Sequence, residues 1–398
     1  GIPWIGEVPE GWEFSKIKYH CTMKSGDNIT ALDISDNGEY PVYGGNGLRG
    51  FYKIYNKNGN HILIGRQGAL AGNVHLVNGK FWATDHAVIV TLKNDVFINY
   101  FFRMLESMNL NQYAFDTAAQ PGLSVSRIMN LNIVLPNLKE QHRIADFLGS
   151  KCSEIDTLIE NLRARMESAK EYKKAVITEA VTKGLDKDAK MKDSGVEWIG
   201  EIPEGWKVVR FKHIASIKSN LVQPDKYMKY PQIAPDNIEK DTGRLLSHQT
   251  VEESGVISGN HLFYRGQILY SKIRPNLNKL TVAPFDGLCS ADMYPIESKL
   301  PTLFMVYSML STYFVSQVSL IIQDRVKMPK INQEELGEIK VAVPSQQEML
   351  TIADYLDSKC SEIDALLQNY EYQIATLEEY KKSLIYEYVT GKKEVPEA

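Results

Sequence analysis

Long internal repeats and two proline-poor helical stretches predict a mixed α+β fold. Two α/β globules are joined by two long antiparallel coiled-coil helices, with an internal pseudo-twofold repeat. The first repeat is Trp4 to Trp12 (WIGEVPEGW), which returns 194 positions later as Trp198 to Trp206 (WIGEIPEGW). The second is Leu148 to Asp156 (LGSKCSEID), which returns 208 positions later as Leu356 to Asp364 (LDSKCSEID). Glu171 to Lys174 and Glu379 to Lys382 (EYKK) share that second offset. Between these anchors the halves have little in common. Similar frames around dissimilar interiors point to a molecule that reads two different things at a fixed separation.

The helices follow from periodicity. Pro136 and Pro344 each open a long stretch without further proline. Apolar residues then recur in steps of three and four, which puts them on one helical face. Coiled-coil packing is expected at Leu148, Cys152, Ile155, Ile159, Leu162 and Met166 of the first helix. In the second it is expected at Leu356, Cys360, Ile363, Leu367, Ile374 and Leu377. A period held for about 40 residues exceeds most globular helices, and each helix would reach roughly 60–65 Å at 1.5 Å per residue.

The expected division is a first globule over 1–135, a central helix over 136–183 and a charged linker over 184–194. A second globule over 195–343, a C-terminal helix over 344–391 and a tail over 392–398 complete it. Candidate strands of the first globule are His61–Ile64, Ala87–Leu92 and Leu131–Leu135; those of the second are Gln267–Tyr270, Met293–Ile296 and Ile339–Val343. Phe97–Met108 and Thr302–Ser311 read as helices, and Gly44–Gly47 reads as a hairpin turn rather than a nucleotide loop.

Composition narrows the class. At 398 residues, 43% apolar and 24% charged, the chain fits two or three ordinary globular domains. No apolar run approaches the roughly 18–20 residues a membrane span needs, and the start lacks a signal-peptide pattern, so a cytoplasmic location is expected. The start matches Gly195 to Trp198, so a short segment like Lys192 to Ser194 is expected before it. Cys21, Cys152, Cys289 and Cys360 form no CxxC pair, which argues against a zinc site or disulfide framework. The acidity behind the net charge of −4 lies in residues 344–398, which carry 5 basic and 11 acidic side chains and so are −6 against +2 for the rest. The preceding segments are near neutral, so DNA could be held only by a local basic face or with a partner's help.

Catalytic signatures are missing. The sequence has no Pro-Pro for an amino-methyltransferase site, no GxxxxGK[ST] loop, and no HExxH or HxH histidine pair. Pro235-Asp236 with Glu239-Lys240 is only a faint likeness to a nuclease carboxylate cluster. No metal site and no catalytic residue are expected in this chain.

The WIGE(V/I)PEGW elements, the IAD(F/Y)L…SKCSEID helix starts and the EYKK helix ends together resemble the specificity subunit of type I restriction–modification systems. The resemblance covers essentially the whole chain. It implies that each globule is a target recognition domain reading half of a bipartite duplex DNA sequence. It also implies that the helices are a spacer on which two methyltransferase subunits dock, with restriction subunits joining through the complex. Adenine-N6 methylation then uses S-adenosylmethionine held by the methyltransferase partner, and cleavage uses ATP and Mg in the restriction partner. The other class of protein compatible with these residues is a coiled-coil scaffold with two protein-binding heads and no DNA.

Comparing the halves suggests where bases are read. Arg66-Gln67-Gly68 stands where Lys272-Ile273-Arg274 stands, and Pro121 to Ser124 aligns with Pro329 to Asn332. Asp85 in Thr84 to Ala87 aligns with Asp292 in Ala291 to Tyr294, and a shared buried aspartate reads as a turn or cap. With the resemblance, candidate DNA contacts are Arg49, Arg66, Gln67, Gln120, Ser124 and Arg127 in the first globule. In the second they are Lys272, Arg274, Asn276, Asn278, Arg325, Lys327, Lys330 and Asn332. Any one of these could equally be a solvated surface side chain.

Overall fold

A computed structural model describes residues 4–68, 71–93, 96–115 and 122–396. Contacts divide the chain into two units: Gly1–Leu162 with Glu371–Ala398, and Arg163–Tyr370. Each contains a globule and parts of both long helices.

In the first unit a four-stranded antiparallel sheet runs in the order Cys21–Ser25, Ala87–Leu92, His61–Gly65, Val74–Val77. A second sheet orders Gly47–Tyr52, Tyr40–Gly44, Lys80–Ala83 and Lys57–Asn58, with one parallel pairing of Val42 with Trp82. Alternation along the central strand explains the layers, since neighbouring side chains point to opposite faces. Ile62 and Ile64 join Tyr100, Phe101, Met104 and Leu105 of the helix Ile98–Ser107, while Leu63 joins Phe81, Ala83 and Ile89. The hairpin expected at Gly44–Gly47 forms, with Gly44 opposite Gly47.

The second unit repeats the first sheet in the order Ala215–Ile217, Met293–Ser298, Ile268–Ser271, Leu280–Val282. Its other sheet has five strands and again one parallel pairing, Gln232 with Leu288. The helices Thr302–Leu310 and Thr312–Ile322 are apolar on most faces because they lie in the core. No single helix among the described residues is long and apolar enough to cross a membrane.

The long helices span Leu138–Lys183 and Gln346–Val389. Within the first unit they run antiparallel, with Lys381 Nζ 2.7 Å from Asp156 and the rings of Phe147 and Tyr388 4.6 Å apart. Within the second unit they also run antiparallel: Lys173 Nζ lies 2.6 Å from Asp364, the repeat equivalent of the first pair. Leu148, Cys152, Ile155, Ile159, Leu162, Leu356, Cys360 and Ile363 are buried. Met166, Leu367, Ile374 and Leu377 are only half-buried, because the globule cores cover the helix ends and not the middle.

Two segments differ from the sequence reading. The charged stretch read as a linker contains a strand, Met191–Asp193, which pairs with Glu201–Pro203. The tail folds back, and the carbonyl of Val395 accepts from Arg143 Nη2 at 3.1 Å. The WIGE(V/I)PEGW elements act as straps between globule and helix end. Trp4 Nε1 donates to Asn132 O at 3.0 Å and its carbonyl accepts from Tyr386 Oη at 3.1 Å; Trp206 Nε1 donates to Glu348 at 3.1 Å.

Candidate nucleic-acid interface

In the first unit four loops converge at one end of the sheets. They are the Gly45-Asn46 turn, Arg66–Gly68, the Thr84–His86 turn and Gly122-Leu123. Backbone bonds tie them together: Thr84 N donates to Tyr43 O at 2.9 Å, Arg66 N to His86 O at 2.9 Å and Leu123 N to Arg66 O at 2.8 Å. Gly45 is where glycine is needed, since a Cβ there would lie 3.2 Å from Gln67 O and 3.3 Å from His86 O.

The second unit builds the same frame from other residues. Ser290 N donates to Ile233 O at 2.9 Å, Lys272 N to Asp292 O at 3.0 Å and Ile331 N to Lys272 O at 3.0 Å. The turns close alike, by Ala87 N to Thr84 O at 3.0 Å and Met293 N to Ser290 O at 2.9 Å. Strand register agrees, with Gly65 opposite Ala87 and Ser271 opposite Met293. Arg66 therefore corresponds to Lys272, Gly68 to Arg274, Leu123 to Ile331 and His86 to Asp292.

This corrects the pairing of Asp85 with Asp292, which is one residue out of register. Nor is either carboxylate buried; the side chains are 43% and 37% exposed. A shared aspartate misled the comparison because nothing around it is identical, and inter-strand hydrogen bonds set the true register.

Arg49, Arg66, Gln67 and Arg127 are exposed. Arg66 Nη1 donates to Ser25 Oγ at 3.2 Å, and the Arg127 guanidinium lies 5.4 Å from the centroid of the Tyr113 ring. Arg49 stands just after the hairpin turn, its stem packed against Gly44. Gln120 lies outside the described residues. Ser124 caps the helix Val125–Met129, its Oγ accepting from Arg127 N at 3.4 Å, so its acceptor is partly committed.

In the second unit Arg274, Asn276, Lys327, Lys330 and Asn332 are exposed. Lys272 is half-buried with Nζ 5.3 Å from the Tyr294 ring centroid, and its cation adds to burial in lowering the pKa of His261. Lys330 Nζ lies 3.1 Å from Asp292 Oδ1. Asn332 repeats the role of Ser124, capping Gln333–Glu338 through Glu335 N at 2.8 Å. Arg325 Nη2 lies 2.5 Å from Glu335 Oε1, and Nη1 donates to the carbonyl of Lys330. The Arg325–Glu335 hydrogen bond is the first cause holding the Glu335 carboxyl below its usual range. Arg325 thus braces the loop rather than presenting an open fork. Asn278 is a correction: it is 1% exposed and its Nδ2 donates to Met309 O at 3.2 Å, so it belongs to the interior.

One contrast lies in the backbone. Gly68 takes a left-handed φ of +93°, and at the matching position Arg274 takes +42°. Arg274 N donates to Pro329 O at 2.8 Å, which holds it there. A non-glycine residue in that region costs about 1–2 kcal/mol. Its guanidinium is exposed in the same cluster as Lys272 and Lys330. Arginine can donate in bidentate fashion to guanine O6/N7, and glutamine to adenine N6/N7.

Among the described residues no three His, Cys, Asp or Glu side chains form a metal-holding group. The four cysteines are free and buried, and burial pushes the Cys21 thiol up to about 12 and that of Cys360 to about 11. Thiols so placed stay protonated at neutral pH and behave as core residues.

Sequence missed His86 as the member of the loop cluster that matches Asp292, which it read only as a turn or cap, along with the bracing carboxylate of Glu335. The EELGE run after Asn332 could have signalled a capped helix. Nothing local marks His86.

The fold and its duplicated loop frame define a tandem-repeat α+β protein with two equivalent, differently furnished surfaces. Residues 9–168 match the family described as type I restriction modification DNA specificity domain. The chain is 34% identical over 267 residues to the type I restriction enzyme EcoDI specificity subunit of Escherichia coli, covering 63% of this chain and 60% of that one. It is 41% identical over 152 residues to the EcoprrI specificity subunit of Escherichia coli, covering 37% of this chain and 38% of that one. These two matches therefore span less than two thirds of the relatives' length. With the MjaVIII specificity subunit of Methanocaldococcus jannaschii it shares 28% identity over 423 positions, 97% of this chain and 93% of that one. A chain solved in work on complex assembly and conformational transition of the type I R-M system superposes with a TM-score of 0.68 at 15% identity, over 97% of this chain and all (100%) of that one. That likeness establishes a shared fold. The chain is thus similar to type I restriction–modification specificity subunits, through the matched domain at residues 9–168 and, at lower identity, along nearly its whole length.

Proposed function

We propose that this chain is the DNA sequence-specificity subunit of a type I restriction–modification complex, with each globule reading half of a bipartite duplex target. The observation that carries this reading is the loop frame, built twice with the same backbone bonds and furnished with different donors and acceptors. Shared backbone with divergent side chains is what independent readout of two sequences requires. The paired long helices set the spacing and dock two methyltransferase subunits, and restriction subunits join through the complex. The chain itself is non-catalytic; S-adenosylmethionine belongs to the methyltransferase, and ATP and Mg to the restriction partner. A cytoplasmic location accompanies that role.

The charge balance supports a partner. With a net charge of −4 the chain alone neutralises few phosphates, so its own DNA affinity is expected to be weak and to rise strongly when methyltransferase is added. The test is to replace residues 13–135 with another member's first globule and map methylated adenines in host DNA. One half of a split motif should change while the other stays. Both halves changing together, or no split motif with the native chain, would defeat the reading.

A further inference from the structure

The turn position occupied by His86 in the first unit and Asp292 in the second has the same backbone surroundings and opposite chemistry. Its carbonyl accepts from Arg66 N or Lys272 N, and the turn is closed by the same bond to Thr84 or Ser290. Neither side chain is needed for that frame. Asp292 is 37% exposed; its carboxylate pairs with Lys330 Nζ at 3.1 Å and caps no helix. His86 is 43% exposed, with Nε2 4.0 Å from Asp85 Oδ1.

An aspartate here is unfavourable for phosphate binding. The charged residues at the meeting loops, Lys272, Arg274 and Lys330, are otherwise cationic, and a duplex approaching them brings its own negative charge. A carboxylate becomes favourable only against donors, and the major groove offers two, adenine N6 and cytosine N4; adenine's lies beside the N7 acceptor, which repels a carboxylate, so the cytosine N4 amino group suits it better. The matching imidazole offers a ring N–H and a ring acceptor, which suits different base edges.

We propose that position 86/292 is a base-reading position of each unit and that Asp292 accepts a hydrogen bond from cytosine N4 in the half-site read by the second unit. Lys330, paired with it, offsets the carboxylate's charge against the approaching phosphates. This rests on the DNA-reading function proposed above, and the two can fail separately.

The test uses the chain assembled with its methyltransferase partners and sequencing of the methylated sites. Asp292→Asn replaces an acceptor pair with an amide suited to adenine N6/N7. Preference at one base pair of one half-site should move from cytosine towards adenine, by on the order of tenfold. The other half-site and the spacer should stay. Lys330→Gln should keep the motif and weaken binding at all sequences alike. An unchanged motif in Asp292→Asn overturns the proposal, as does loss of methylation at every site in a complex that assembles normally. So does the same base shift in Lys330→Gln, which would mean that the ion pair merely pins the loop. If Asp292→Asn does not assemble, His86→Asp decides, since it should change one base pair in the other half-site and an unchanged motif there overturns the proposal. A native complex without any split motif would instead defeat the underlying function.

Discussion

The two loop clusters make an instructive pair. In the second unit two of the cations are held by carboxylates: Arg325 by Glu335 and Lys330 by Asp292. In the first, Arg66 rests on a serine hydroxyl and Arg127 lies over a tyrosine ring. The backbone frame is common to both, but the second unit adds an electrostatic brace and a left-handed arginine where the first has glycine. A frame made of main-chain bonds leaves side chains free to diverge. The second unit has used that freedom partly for rigidity.

The largest effect should come from what the units share. Leu148 and Leu356 are repeat equivalents with no exposed surface. Leu148→Ala and Leu356→Ala should each cost about 2–5 kcal/mol, read from urea unfolding. Effects differing by much more than the spread expected of cavity mutants would show that the two cores are not equivalent supports.

Arg325→Ala tests the brace. Both partners are partly exposed, so solvent screening keeps the expected loss of stability small. Hydrogen exchange should quicken in residues 326–332, and discrimination should fall in one half-site only. Unchanged exchange would mean that the ion pair is incidental.

Arg274→Gly separates strain from function. Relief of about 1–2 kcal/mol in the backbone is offset by about 0.5–1 kcal/mol of added unfolded-chain entropy. The melting temperature should therefore hold or rise slightly, while reading of the second unit's half-site suffers. A marked fall in melting temperature would show that the guanidinium has a structural task.

The smallest difference concerns pH. Glu335 and Glu338 are held below their ordinary value of 4.5, chiefly by hydrogen bonds from Arg325 and Lys212; their equivalents in the first unit are Arg127 and Asn130. A depressed folded-state value gives stability that is present above the unfolded value and lost as pH falls through the folded one. On acidification below about pH 4.5 this region of the second unit should therefore open before its counterpart, as read by hydrogen exchange. Equal acid sensitivity would mean that these pairs add nothing.

Much of this protein follows from sequence alone. The repeat, both long helices, the hairpin at Gly44–Gly47 and the central strands are legible because each depends on residues close together in the chain. A three-to-four-residue period or a glycine turn is a local property. The general location of the loop cluster was legible too, at Arg66-Gln67 and Lys272 to Arg274. Only the tertiary structure decided which side chains in it are available. Asn278 is spent inside the core, Ser124 and Asn332 on helix caps, and Arg325 on a carboxylate ten positions away. It alone matched His86 with Asp292, because the bonds that set this register join residues about 20 positions apart on neighbouring strands.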